Sequence, residues 1–166
     1  MIRLVPAPLH RAALRKAHAL RKVWWRLRQP LLLGCRVLAF DREGRVLLIR
    51  HSYGSGRWML PGGGVARGEE PVAAAERELA EETGCGLDAP RLFAVVDEPL
   101  YGTINRVHLV TGTALGVLQP DGREVIEAAF FPPAELPANI SPMIGREVAE
   151  WITAARAEHL PPKAAD

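Results

Sequence analysis

Residues 9–28 contain neither Gly nor Pro, and Ala13, Ala17, Leu20, Trp24 and Leu27 recur at steps of four, three, four and three. That period lays one apolar stripe along an amphipathic helix, with the arginines and lysines largely off it, and Pro30 stops it. Two apolar, β-rich runs follow at residues 31–40 and 45–50. Asp41-Arg42-Glu43-Gly44 between them reads as the turn of a hairpin. A glycine-broken stretch, residues 51–57, then leads to Trp58-Met59-Leu60 and Pro61-Gly62-Gly63-Gly64. Residues 71–83 predict a helix. Pro71 suits its first turn, Glu69 and Glu70 favour the positive end of its dipole, and Gly84 ends it in a left-handed conformation. Strand-like runs occupy residues 91–96, 106–114 and 124–131, the last ended by Pro132-Pro133, and residues 147–158 read as a further helix. The pattern predicts a mixed α/β domain over residues 31–160, a helical extension over 1–30, and a disordered tail over 161–166.

The 166 residues are 48% apolar and 24% charged, which suits one globular domain and excludes disorder, collagen and coiled coil. No apolar run approaches the ~20 residues of a membrane span, and the N-terminus lacks the apolar core and cleavage site of a secretory signal. The two cysteines, Cys35 and Cys85, lie outside any metal-ligand spacing and are expected as buried thiols of a cytoplasmic protein. A net charge of +2 hides an asymmetry. Residues 1–40 carry nine basic side chains, Arg36 among them, and no acidic one, leaving twelve basic against nineteen acidic beyond, a balance of −7.

Candidate chemistry is concentrated between Gly63 and Cys85. On a helix, Glu81 falls about 60° to one side of Glu78 and Glu82 about 40° to the other, so three carboxylates share one arc of about 100°. Val72, Ala75 and Leu79 form the core-facing stripe beside it. Crowded carboxylates repel one another, and a cation would compensate them. Oxygen ligands of this kind suit Mg²⁺ or Mn²⁺, and a glycine-rich loop lets backbone carbonyls approach the same ion. A solvated acidic face is the plain alternative.

The spacing favours the metal site. Gly63, Glu69 and Arg77-Glu78-Leu79-Ala80-Glu81-Glu82-Thr83-Gly84-Cys85 resemble the Nudix box G-x5-E-x7-R-E-U-x-E-E-x-G-U, with Cys85 standing where a bulky aliphatic is usual. Trp58 to Gly64 is similar to the loop entering that box, and the likeness covers residues 31–135. It implies an α/β/α sandwich around a mixed sheet. It also implies hydrolysis of a phosphoanhydride in a nucleoside diphosphate linked to another moiety: a nucleoside triphosphate, a nucleotide sugar or a dinucleoside polyphosphate. The implied attack is by water at phosphorus. By position, Glu78, Glu81 and Glu82 become metal ligands, with Glu82 or a partner helping to deprotonate water. Arg77 holds the carboxylates, Glu69 anchors Arg77 or a metal-bound water, and Gly62 or Gly63 offers a carbonyl. Glu124, six residues before Phe130, is the candidate further carboxylate, with Glu127, Asp97 and Glu98 competing.

Substrate is less legible. Arg50, His51 and Tyr53 precede the glycine loop and are candidates for phosphate or base contacts. Tyr101 stands near a tyrosine of dinucleoside-polyphosphate hydrolases, and Pro99 near a proline of ADP-ribose hydrolases. Arg106 and His108 alternate on one strand. The basic helix within residues 10–28 admits a membrane surface, RNA phosphates, mitochondrial targeting, or packing on the body or on a second copy in a homodimer. Packing is the reading adopted. The rival functions are a 5′-end RNA pyrophosphohydrolase and a non-catalytic nucleotide-sensing module. Retention of all three box carboxylates argues against the second.

Overall fold

The computed structural model describes residues 31–100, 102–141 and 145–159. The helix expected within residues 1–30, Tyr101 and the tail over 161–166 lie outside the described residues.

Strand β1, Leu32–Phe40, turns through residues 41–45 into β2, Val46–His51. Asp41 closes that turn, accepting hydrogen bonds from the backbone N–H groups of Glu43 and Arg45. The expected hairpin is present but pairs only beside its turn, Phe40 with Val46. Beyond that point the strands part. β1 runs parallel to β5, Thr103–Leu115, while one edge of β2 is taken along its length by antiparallel β6, Val125–Phe131. The two-residue β3, Trp58–Met59, pairs with the far end of β2. β4, Gly86–Leu100, closes the other side against β5, so the sheet order is β3-β2-β1-β5-β4 with β6 on β2.

The edge of β1 abandoned by β2 is filled by the glycine loop. Cys35 and Val37 donate backbone N–H groups to the carbonyls of Gly63 and Pro61 (2.9 Å each), and Val65 donates to Leu33 (3.0 Å). That splaying makes a notch in the sheet, and the loop lies in it.

Helix α1, Pro71–Thr83, has the predicted bounds. Gly84 ends it at φ 74°, its N–H on Ala80 O. At the other end Glu70 makes no capping bond with its side chain, and Glu69 is turned to Arg77, so the acidic start serves the site rather than the cap. α1 packs Ala74, Ala75 and Leu79 against Cys35, Val37, Ala39, Leu47 and Val110 on one face of the sheet. Helix α2, Gly145–His159, places Ile152 and Ala155 on the opposite face, among Leu38, Phe40, Leu48, Leu60 and Leu109. Burial on both faces explains why β1 and β2 read as continuous apolar runs rather than alternating ones. Cys35 and Cys85 are buried free thiols, as expected.

β4 is longer than its sequence suggested. Pro90 argues against a strand, yet β4 passes through it because the ladder shifts register between Asp88 and Arg91, where Ala89 adopts a positive φ of 46°. The bulge absorbs the residue that cannot donate.

Candidate active site

The site forms where α1, the glycine loop and the end of β2 meet. Gly63 abuts Glu78 so closely that a Cβ there would lie 2.5 Å from its carboxyl carbon. Gly62, at φ 138°, presses on β1, and a Cβ on it would lie 2.3 Å from Cys35 O. Only glycine permits both approaches. The Gly62 N–H then donates to Glu82 Oε2 at 2.8 Å. Glu82 is buried, with Glu78 and Glu124 adding like charge. Burial chiefly, opposed by the Gly62 hydrogen bond, pushes its carboxyl up to about 8.

Arg77 organises the opposite side. Its Nε and Nη2 bind Glu69 Oε1 and Oε2 at 2.8 and 3.0 Å, Nη1 binds Glu78 Oε1 at 2.8 Å, and Nη2 also donates to Gly64 O at 3.1 Å. Glu81 Oε2 stands 3.5 Å from Nη1. Glu69 also accepts the Ala66 N–H, and these bonds, Arg77 first, hold its carboxyl down at about 2. Arg77 thus ties the loop to the helix through a two-pronged ion pair.

Glu124 comes from the loop before β6. Asp121 Oδ1 accepts the N–H groups of Arg123, Glu124 and Val125 at 2.9–3.1 Å, which fixes this loop. It is latched to the end of β2 as well. Ser52 N–H donates to Glu124 O (2.8 Å), Ser52 Oγ to Arg123 O (2.6 Å), and Tyr53 OH to Glu124 Oε1 (2.6 Å). Between Glu124 and Glu82 sits His51. Its Nε2 is 3.5 Å from Glu82 Oε1, its ring is 4.9 Å from that of Tyr53, and its Nδ1 is buried without a described partner. Burial lowers its pKa.

Glu69, Arg77, Glu78, Glu82 and Glu124 are therefore brought to one place, with Glu81 at its exposed margin, 62% accessible. Among the described residues no three His, Cys, Asp or Glu side chains are gathered tightly enough to hold a metal ion in this arrangement. Glu78 is turned to Arg77, and Glu81 points outward. The donors are nonetheless all hard oxygens. Of the loop carbonyls, those of Pro61, Gly63 and Gly64 already accept hydrogen bonds, which leaves Gly62 O without one among the described residues.

Other candidates are engaged elsewhere. Arg50 pairs with Glu127 across β2 and β6 and lies 5.8 Å over the Trp58 ring. Arg106 pairs with Asp97, and His108 Nδ1 meets Gly34 O at 3.1 Å. Two neighbours leave little mark on the sequence. Arg36 belongs to the basic N-terminal stretch, although it interrupts an apolar strand. Asn105 is buried beside Gly34, where a Cβ would lie 3.1 Å from its Oδ1.

The NUDIX domain model matches residues 30–152. A MutT NUDIX hydrolase from Burkholderia pseudomallei has the same fold, with a TM-score of 0.66 at 27% identity over 74% of this chain and 98% of that one. The RNA pyrophosphohydrolase of Bartonella bacilliformis is 44% identical over 63 residues, 33% of this chain and 37% of that protein. Human diphosphoinositol polyphosphate phosphohydrolase 3-alpha is 41% identical over 84 residues, 49% and 50% of the two chains. The chain thus spans half or less of the length of these curated relatives. The family match takes in all six strands and the whole carboxylate helix, and the chain belongs to the NUDIX domain family.

Proposed function

We propose that the protein hydrolyses a phosphoanhydride in a nucleoside diphosphate derivative, with Mg²⁺ or Mn²⁺ as cofactor. The observation that carries this reading is Glu82, a buried carboxylate held on the Gly62 N–H with Glu78 and Glu124 bearing on it. A carboxylate cluster of this kind is unfavourable by itself and is relieved by a hard cation. Glu78, Glu81 and Glu82, with Gly62 O, would hold such an ion once Glu81 swings inward, and the ion would neutralise and polarise the diphosphate. Glu82 and Glu124 are the groups placed to accept a proton from the attacking water. Arg77 and Glu69 keep Glu78 and the loop in register.

The relatives' names share a phosphoanhydride and differ in what it is attached to. They support the reaction class more broadly than any one substrate. A phosphate-release screen tests the reading, covering nucleoside triphosphates, nucleotide sugars, dinucleoside polyphosphates, diphosphoinositol polyphosphates and 5′-triphosphate RNA, each with Mg²⁺, Mn²⁺ or EDTA. One substrate stands above the rest, EDTA silences it, and Glu82→Gln lowers turnover on the order of 10²–10⁴-fold while the protein stays folded. Undiminished turnover in Glu82→Gln removes the assignment.

A further inference from the structure

We propose that Arg36 is an anion anchor of this site, its guanidinium taking a phosphoryl oxygen of the diphosphate. This rests on the phosphoanhydride reading above and adds to it a residue outside the box.

The placement follows from the backbone. Cys35 directs its N–H to Gly63 O, on the loop-bearing edge of β1, and in a strand the carbonyl of the same residue points the same way. Arg36 Nη1 donates to that Cys35 carbonyl at 3.0 Å. The guanidinium is therefore folded back over the edge that carries Pro61–Gly64 rather than the edge paired with β5. Gly62 brings Glu82 toward the same stretch of backbone. A Cβ on it would lie 2.9 Å from Arg36 Cα, and its N–H holds Glu82. Arg36 remains half-buried. Its positive charge opposes the rise of the Glu82 pKa and adds to the fall of that of His51.

Elimination points the same way. β1, β2 and α1 carry three guanidiniums. Arg77 is committed to Glu69 and Glu78, and Arg50 to Glu127. Arg36 has no carboxylate within ion-pair distance among the described residues, and its one hydrogen bond leaves most of its donors unused. A polyanion entering between Glu78, Glu82 and Glu124 meets repulsion from the protein, and of these three guanidiniums Arg36 is the one left uncommitted to receive it. The planar fork of an arginine suits two oxygens of one phosphoryl group.

The test is calorimetric binding of non-hydrolysable methylenediphosphonate to the full-length protein, with and without Mn²⁺. Mn²⁺ affinity is measured separately by electron paramagnetic resonance. Arg36→Gln keeps a donor for Cys35 O and removes the charge. It should bind the diphosphonate roughly 10- to 100-fold more weakly with Mn²⁺ affinity unchanged or tighter. Arg36→Lys keeps the charge, loses the fork and should lose several-fold. If Arg36→Gln fails to fold, Arg36→Lys decides, and wild-type diphosphonate affinity in it overturns the proposal. So does wild-type affinity in Arg36→Gln, or a loss confined to Mn²⁺, which would make Arg36 only a counter-ion of the carboxylates. If the wild-type protein binds no diphosphonate under any condition, the phosphoanhydride reading falls, and Arg36 with it.

Discussion

Glu82 shows how one residue couples stability to chemistry. Folded and free of cation, it keeps its proton up to about 8, whereas the ordinary value is 4.5. Between those values the folded chain holds a proton that the unfolded chain has released, so stability contributed here falls as pH rises through this window. Thermal midpoints in EDTA should accordingly drop from pH 6 to pH 8.5 more steeply in wild type than in Glu82→Gln. Added Mn²⁺ should reverse the difference by favouring the charged form. Equal slopes for the two proteins would show that Glu82 does not carry the effect. Gly62 and Gly63 are bound to the same logic. Their glycine identity was legible as loop chemistry, but its reason was not. Gly63 makes room for the Glu78 carboxylate, and Gly62 for the backbone of β1.

At the scale of elements, the helix was the most legible part. Its bounds, its left-handed glycine end and its carboxylate arc follow from local periodicity, because neighbours on one helix face are neighbours in sequence too. The loop before β6 is different. Its position depends on Ser52 and Tyr53, some seventy residues earlier, and no local pattern links the two segments. That latch makes Tyr53→Phe informative. The ring that stacks near His51 is retained, and the hydroxyl on Glu124 is lost. Turnover should fall roughly tenfold with a stability change of only about 1 kcal/mol. Undiminished turnover would show that Glu124 needs no such positioning.

For the molecule as a whole, the described residues already enclose the sheet. α1 covers one face and α2 the other, so the core does not depend on a third helix among them. No described helix is long and apolar enough to cross a membrane. Deleting residues 1–28 should therefore leave phosphate release at the wild-type level, with circular dichroism confirming the fold. An unfolded product would instead place the basic segment in the core. Its steep positive charge still makes salt-dependent association the property to compare between full-length and shortened protein.

The chain alone determined what local periodicity and spacing can carry. These are the mixed α/β class, the helix with three carboxylates on one arc, the glycine loop ahead of it, two buried thiols, and the family likeness built on the box. Tertiary structure decided which distant groups share the site. β1 and β2 part after one paired position, and the loop moves into the notch they leave. That splaying puts His51 beside Glu82, brings the Arg36 backbone against Gly62, and gives Arg50 to Glu127. Such choices follow from how strands pair across the chain, where the contact energies are non-local and leave little mark on any one stretch of sequence.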